Sequence, residues 1–419
     1  MPSARRACPE ASLALKVVSR TWLLLGLLWL AGSDLRLTLL AVPPVLPLIH
    51  ADLRLDEKGV AALSGLPVLL LGIAAVPGSL LIARIGARRA LILGLCIIGV
   101  SSALRGLGPS APVLFAMTFC MGVGVSVSQP TLPTLVRQWF PHLVTRATGF
   151  WSNGLLVGEL LSAALTLPVV LPLVGSWEAD FVVWAVPVLV TAALLAIATP
   201  HVPRQAGVAR PPGMPDWRNG RMWRLGLFQS SASMVYFGAN TFIPDYLHAT
   251  GQADLVGLAL ASLNGLQLPA SVVIGLVPLR ILARPMTSYA VGAAILASLV
   301  VVLTSPGLPL VLAAGVFGFC GAYILVMSFA LPALLAEPAE VARLSAGTFA
   351  ISYSTAFVVT LVAGAVWDAT RVEASAFLPA LAGSALVAAL GPNLVLAAEA
   401  SARPEQVRAA ERAEQHRHG

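Results

Sequence analysis

Charged side chains are scarce in this sequence. Asp, Glu, Lys and Arg make up 11% of its 419 residues, and hydrophobic residues make up 58%, whereas a typical soluble protein has about 25% charged and about 45–50% apolar residues. So few charges do not supply the polar surface that a soluble protein of this length needs. The composition therefore excludes a separate soluble domain and predicts a chain embedded in a lipid bilayer.

Cysteine and catalytic motifs are also scarce. Cys8 lies in the N-terminal tail, and Cys96, Cys120 and Cys320 lie far apart inside apolar stretches, without the spacing of a metal site. We interpret them as packing residues and predict no cofactor. The sequence has no His-Glu-x-x-His motif, and all six histidines lie in loops, helix ends or the tail. We therefore do not expect an enzyme.

Long polar segments are missing except at one place. Twelve apolar runs are each long enough to cross a bilayer as a helix, which takes roughly 20 residues. The runs cover residues 21–49, 59–82, 90–107, 111–136, 146–173, 178–199, 222–248, 253–279, 286–304, 307–336, 342–367 and 375–397. The break after the sixth run contains HVPRQAGVARPPGMPDWRNGR, whose four prolines argue against a continuous helix.

These runs predict an all-α membrane protein with twelve transmembrane helices in two six-helix bundles. The expected segments are an N-terminal tail at 1–20, a first bundle at 21–199, a linker at 200–221, a second bundle at 222–398 and a C-terminal tail at 399–419. Two related bundles that move around a central site are typical of secondary transporters. The first run is too long for a signal-peptide core, so we expect it to remain as the first helix.

Basic residues are distributed unequally between the loops. With a cytoplasmic N-terminus, 21 of the 26 Lys and Arg residues fall on the cytoplasmic side, and only Arg54, Lys58 and Arg371 fall outside. Cytoplasmic loops retain positive charge. We therefore expect the linker and both termini to be cytoplasmic. We also interpret the net charge of +7 as a result of topology and not of nucleic-acid binding.

The loop after the second run carries a family motif in altered form. SLLIARIGARRA resembles the Gly-x-x-x-Asp-Arg-x-Gly-Arg-Arg loop motif of the major facilitator superfamily, with Arg84, Arg88 and Arg89 at basic positions. Ser79 and Ala83 replace its first Gly and its Asp. The three arginines are expected to have a gate or structural role. Because the carboxylate is missing, the family's loop salt bridge is not expected in its usual form.

Longer segments resemble the cyanate and nitroimidazole permease branch (CynX/NimT type) of that superfamily. They are DLRLTLLAVPPVLP, MGVGVSVSQPTLPTLVRQWFP, TFIPDYLHATG and RLSAGTFAISYSTAF, in the first, fourth, seventh and eleventh runs. Arg36 matches the branch's Asn-Leu-Arg, whereas Asp34 departs from it. The resemblance implies a monomeric, multi-pass permease of a bacterial plasma membrane. It would move a small anionic or planar polar solute, such as a cyanate-like anion or a nitroimidazole-like compound, with or without a coupled proton.

Two charged residues lie near the middle of the first run. A charge at mid-bilayer costs roughly 2.5–3.5 kcal/mol on insertion scales, so it is retained where it faces a cavity or a partner. We expect Arg36 to bind the substrate, because its rigid guanidinium suits a small anion; the alternative is purely internal pairing. Asp34 lies about 200° away around the helix. It is either a proton-coupling carboxylate or a packing partner.

Glu159 lies in the middle of the fifth run, on the same face as Ser152 and Ser162. Three interpretations stay open: it carries a coupling proton, it forms an ion pair with Arg36, or it is a neutral packing residue. Arg105 closes the third run, where its long side chain could snorkel to the outer surface. We expect a gate or structural role for Arg105, and a similar role for Asp245 near the outer end of the seventh run.

Polar residues follow one face of the seventh run. Gln229, Ser233, Tyr236 and Asn240 recur at i, i+4, i+7 and i+11. In the superfamily the first, fourth, seventh and tenth helices line the cavity, so the resemblance implies that this stripe and Gln129 of the fourth helix face the substrate. The alternative is hydrogen bonding between helices. We favour that alternative for the polar residues of the eighth and eleventh runs, which are Asn264, Gln267, Ser271, Ser345, Thr348 and Ser352.

Two rival functions remain. An efflux pump of the same superfamily, for drugs or metabolites, would have the same architecture, because direction follows from coupling and gradients. A membrane receptor that does not transport is a more remote alternative from another class. A receptor usually carries an appended signalling domain, and the segment after residue 398 is short and polar.

Overall fold

The computed structural model describes residues 9–55, 63, 66–67, 69–108, 110–199, 213–282 and 284–418. Within these ranges the chain is helical between short turns and contains no strand. Most of the predicted linker at 200–221 lies outside the described residues. The final helix, Leu378–His418, continues from the second bundle into the predicted C-terminal tail.

Twelve helical segments, labelled α1–α12 in chain order, form the described bundle. Ten are long and apolar enough to cross a membrane: α1 Arg20–Leu46, α3 Ala87–Arg105, α4 Ala111–Trp139, α5 Val144–Val174, α6 Trp177–Ala198, α8 Ala253–Leu276, α9 Pro285–Thr304, α10 Leu308–Leu335, α11 Val341–Thr370 and α12 Glu373–Ala398. The other two are α2, with its described helix at Ala75–Ile85, and α7 Gly220–Ala249. The predicted twelve-helix, all-α fold is confirmed.

Several of these segments are interrupted. α4 consists of Ala111–Ser128 and Thr131–Trp139, and α5 consists of Val144–Leu165, a π-helical turn at Thr166–Val170 and Leu171–Val174. α8 consists of Ala253–Leu255, Val256–Gly265 and Gln267–Leu276 and is followed by Leu279–Leu282, while α12 begins with Glu373–Phe377. Helices can be broken at membrane depth where the freed backbone groups find partners inside the protein.

The interruption in α1 has the clearest cause. A helix at Pro9–Leu37 ends in a turn over residues 38–41, here called the α1 break, and a new helix runs over Val42–Leu53. Pro43 and Pro44 lack the N–H groups that a continuous helix would need to bond the carbonyls four residues earlier. The two prolines therefore start a new helix and leave the preceding turn without its regular bonds.

The helices form two halves. In the N-terminal half α1 packs against α5, and α3 packs against α4 and α6. In the C-terminal half α7 packs against α11 and α12, and α9 packs against α12. Each half has its own core of buried apolar side chains, and several residues of α10 and α11 also pack into the N-terminal core. The halves are thus separate bundles that share one interface.

The contacts between the halves include a dense aromatic cluster. It lies toward the end of the bundle where residues 213–219 lead into α7, here called the linker end. Trp151 of α5 stacks on Phe329 of α10 with ring centroids 4.8 Å apart, and Phe329 packs edge-on against Phe349 of α11. Nearby, a Cβ on Gly149 would lie 2.6 Å from the Cα of Gly275. The backbones of α5 and α8 therefore meet directly, as small residues permit.

Candidate substrate site

A buried ion pair lies inside the N-terminal half, where it faces the other half. Arg36 is in the last turn before the α1 break, and its Nε is 3.5 Å from Oε1 of Glu159 on α5. The two side chains are 7% and 13% exposed. The other carboxylate oxygen of Glu159 accepts a hydrogen bond of 3.2 Å from the hydroxyl of Tyr236 on α7. In this structure Glu159 therefore forms an ion pair with Arg36.

The pair borders a small cavity between the two halves. Its lining is Arg36, Leu155, Leu156 and Glu159 from the N-terminal half, and Ala232, Ser233, Tyr236, Phe237, Gln267, Gly321, Leu325 and Tyr353 from the C-terminal half. An apolar cavity with a few convergent polar groups is the usual form of a small-molecule site. Both charged groups and polar groups of the C-terminal half converge on this cavity.

Tyr353 connects the cavity to α4 and to the aromatic cluster. Its hydroxyl accepts a 2.8 Å hydrogen bond from Nε2 of Gln129, and its side chain lines the cavity together with Arg36. Its ring stacks on Phe349 with centroids 6.4 Å apart. Gln129 therefore reaches the cavity through Tyr353 and is not itself part of the lining.

The polar stripe of α7 divides between the two predicted roles. Ser233 and Tyr236 line the cavity, and the Ser233 hydroxyl lies 3.3 Å from that of Ser352. Asn240 donates to the carbonyl of Tyr236 and accepts a 3.1 Å hydrogen bond from Asn264, so it bonds to a neighbouring helix. Gln229 is buried and is not among the lining residues.

Two of the polar lining residues lie outside the substrate contacts that the sequence predicts. The sequence favours Gln267 as an interhelical hydrogen-bond partner and does not single out Tyr353. A tyrosine counts as apolar in a hydropathy pattern, so the hydroxyl of Tyr353 gave no signal of its own. Its position directly after Ser352, on the polar side of α11, is the only hint that the sequence offers.

Asp34 and Arg36 face different helices, as their spacing predicted. Asp34 is 2% exposed and contacts the side chain of Thr191 on α6. It is not among the residues that line the cavity. The position of Asp34 between α1 and α6 supports the packing alternative.

Arg105 does not snorkel to the outer surface, and that expectation is wrong. Its side chain is fully buried, with Nη2 donating to the carbonyl of Thr38 at 2.8 Å and its guanidinium carbon 4.3 Å from the ring centroid of Phe181. The first turn of α6 covers it, because a Cβ on Gly106 would lie 2.3 Å from the carbonyl oxygen of Glu178. Asp245, by contrast, is exposed near the end of α7 that lies away from the linker.

The arginines of the altered loop motif lie at the linker end. Arg88 donates from Nε to the Thr199 hydroxyl and from Nη2 to the Ala196 carbonyl, both at 2.6 Å, and so caps the end of α6 within its own half. Cations favour this end of a helix. Arg84 and Arg89 are exposed.

A larger groove lies between α1, α5 and α8 toward the linker end. Its lining includes Trp22, Val272 and Leu276, which are 64%, 47% and 69% exposed. In a bilayer this groove would face lipid. Its lining includes Arg146 but neither member of the buried ion pair. We therefore assign the candidate substrate site to the smaller cavity.

Similar proteins agree with this architecture. The cyanate transport protein CynX of Escherichia coli (strain K12) is 30% identical over 167 residues, which are 40% of this chain and 43% of the relative. The 2-nitroimidazole transporter of the same organism is 28% identical over 258 residues, which are 61% of this chain and 64% of the relative. The matched stretches thus span less than two thirds of either relative.

A solved structure and a family profile extend the match to most of the chain. The fucose transporter FucP, crystallised in an outward conformation, aligns with a TM-score of 0.71 at 12% identity, covering 90% of this chain and 99% of FucP. The sequence profile of the Major Facilitator Superfamily matches residues 24–363. The chain therefore belongs to the Major Facilitator Superfamily, a family of membrane transporters and not of enzymes, and it is similar to the cyanate and nitroimidazole permeases within it.

Proposed function

We propose that this protein is a permease that carries a small monoanion together with a proton across a bacterial plasma membrane. The observation that carries the proposal is the buried Arg36–Glu159 ion pair at the edge of the cavity between the halves. An arginine presents a fixed fork of donors that suits a small anion. The guanidinium of Arg36 already lies beside the carboxylate of Glu159, so an anionic solute must compete with Glu159 for Arg36.

This competition couples the anion to a proton. A charge without a partner is costly in a buried site. If an anion bound to Arg36 while Glu159 stayed ionised, the site would carry one excess negative charge. If Glu159 takes up a proton, the anion replaces the carboxylate as the partner of Arg36 and the site stays neutral. Proton coupling and ion pairing, two of the alternatives for Glu159, then describe successive states of one residue.

Alternating access supplies the transport step. The aromatic cluster and the meeting of α5 and α8 close the interface toward the linker end. The excess of basic residues supports placing that end in the cytoplasm, so this conformation would open to the outside. A cysteine in place of Asp254 should then react with an impermeant reagent in intact cells, whereas one in place of Arg210 should not. Labelling at position 210 would contradict the orientation.

The cavity also suits a planar solute. The rings of Tyr236, Phe237 and Tyr353 line it, and Gln267 adds an amide. The names of the two relatives, a cyanate and a 2-nitroimidazole transporter, support both solute types. A second candidate function is therefore uptake of a neutral planar solute that bonds these groups and leaves the ion pair intact. The efflux alternative differs from both only in direction.

Transport by the purified protein in liposomes separates these candidates. Cyanate, other small monoanions and 2-nitroimidazole would be offered singly while external pH is recorded. The monoanion proposal predicts that an inward proton gradient drives accumulation and that uptake makes the medium alkaline. Glu159→Gln should abolish that accumulation but retain exchange of substrate, and Asp254→Asn, at an exposed carboxylate outside the cavity, is the matched control. Uptake of only the neutral compound, with no pH change, would favour the second candidate.

A further inference from the structure

The α1 break begins two residues after Arg36, and Arg105 contacts it. The Nη2 group of Arg105 donates to the carbonyl of Thr38 at 2.8 Å and to the hydroxyl of Ser102 at 3.0 Å. Thr38 is fully buried. A buried carbonyl without the N–H partner of a continuous helix needs a hydrogen-bond donor from another part of the chain. Arg105 is that donor for Thr38.

Contacts with α6 fix the Arg105 side chain. Asp180 is fully buried and attracts the guanidinium electrostatically, and the ring of Phe181 lies against the guanidinium. The Ser102 hydroxyl that accepts from Arg105 donates in turn to the carbonyl of Phe181 at 3.2 Å. The end of α3, the start of α6 and the α1 break are therefore tied together around one guanidinium.

We propose that Arg105 is a positioning residue for Arg36. Arg105 fixes the backbone at Thr38, two residues after Arg36, and thereby holds the Arg36 guanidinium beside Glu159 at the cavity; Asp180 keeps Arg105 in place. The inference rests on the proposed role of Arg36 as the anion contact. Position matters at such a site, because a displacement of about 1 Å can weaken function about 100-fold. Arg105 itself does not line the cavity.

The double variant Arg105→Met/Asp180→Leu tests this role without leaving a lone buried charge. Removing one of two buried charges that attract each other is strongly destabilising, whereas replacing both by apolar residues is often neutral. We expect the double variant to melt at the wild-type temperature but to lose the donor for Thr38. In hydrogen–deuterium exchange of the protein in nanodiscs, amides 38–42 should then exchange about tenfold faster.

Two further variants distinguish positioning from general packing. Arg105→Lys keeps a charge and a donor, so it should restore slow exchange in part. Arg88→Met is the matched control, because Arg88 also donates to a backbone carbonyl, that of Ala196 at the linker end of α6. It should speed exchange near residues 195–199 and leave amides 38–42 unchanged.

Potassium cyanate is the binding probe. Faster exchange at 38–42, together with a roughly tenfold or greater loss of cyanate affinity in the double variant, would support the proposal. Unchanged exchange there, or faster exchange with wild-type affinity, would overturn it. If the wild-type protein does not bind cyanate, the proposed substrate class is wrong, and the exchange rates alone then decide whether Arg105 anchors the break.

Discussion

The two halves of the molecule contribute different chemistry to its interior. Among the residues that the structure describes, the buried charged side chains of the N-terminal half are Asp34, Arg36, Arg105, Glu159 and Asp180. The polar side chains that the C-terminal half adds to the cavity are Ser233, Tyr236, Gln267 and Tyr353. The charged members of the site therefore come from one half, and the neutral hydrogen-bonding groups come from the other.

This division has a consequence for movement between the halves. Arg36 and Glu159 lie on α1 and α5, which pack tightly together within one half. The contacts that cross the interface, such as Tyr236 to Glu159 and Gln129 to Tyr353, involve at least one neutral partner. Separating two buried charges costs several kcal/mol, whereas a hydrogen bond contributes about 0.5–1.5 kcal/mol. The halves can thus move apart without separating the ion pair.

The largest effect is expected from changing Arg36, a charged residue of the N-terminal half. Arg36→Lys keeps the charge but replaces the fixed fork by a flexible point charge. Loss of a charge-assisted contact is worth about 1.5–3 kcal/mol, which corresponds to a roughly ten- to hundredfold weaker affinity for the anion. This loss of affinity is measured by titrating the purified variant with the identified anion. A variant that is expressed normally and binds with wild-type affinity would show that Arg36 is structural.

A smaller effect is expected from changing Tyr236, a neutral residue that the C-terminal half adds to the cavity. Tyr236→Phe removes one hydrogen bond to Glu159 and keeps the ring, so affinity should fall by about two- to tenfold. Tyr246→Phe is the matched control, because Tyr246 is on the same helix but contacts the carbonyl of Val302 outside the cavity. Equal losses in the two variants would mean that the tyrosine hydroxyls stabilise α7 and do not serve the site.

The smallest effect is expected at Asp34, which is buried in the N-terminal half but lies outside the cavity. Asp34→Asn has nearly the same shape and can still bond Thr191, so proton-driven uptake should change by less than about twofold if Asp34 is a packing partner. Uptake and medium alkalinisation would be recorded side by side. Loss of the proton signal with uptake intact would instead make Asp34 the coupling carboxylate.

The fold could be predicted because each membrane helix is bounded by charge, proline or glycine in the sequence. The pattern cannot show how deep a run's last residue lies in the packed bundle. Arg105 illustrates this: it ends an apolar run, but the start of α6 covers it through Gly106. That contact joins residues about 70 positions apart, and no local pattern encodes it.

The site could be predicted only in part for a related reason. Arg36 and Glu159 stood out because charges at membrane depth are rare, and the sequence proposed their pairing as one of three alternatives. The alternatives could not be separated without knowing that α1 packs against α5. Asn240 and Tyr236 share a stripe, yet Asn240 accepts a hydrogen bond from Asn264 of α8, whereas Tyr236 donates to Glu159 of α5.

The most direct test of the account is the number of protons taken up when the anion binds. The purified protein would be titrated with the identified anion in a weakly buffered solution near neutral pH, and the pH change would be converted to protons per bound anion. Coupling through Glu159 predicts that the wild type takes up about one proton, because the anion replaces Glu159 beside Arg36, and that Glu159→Gln takes up none. Tight anion binding by the wild type without proton uptake would contradict it.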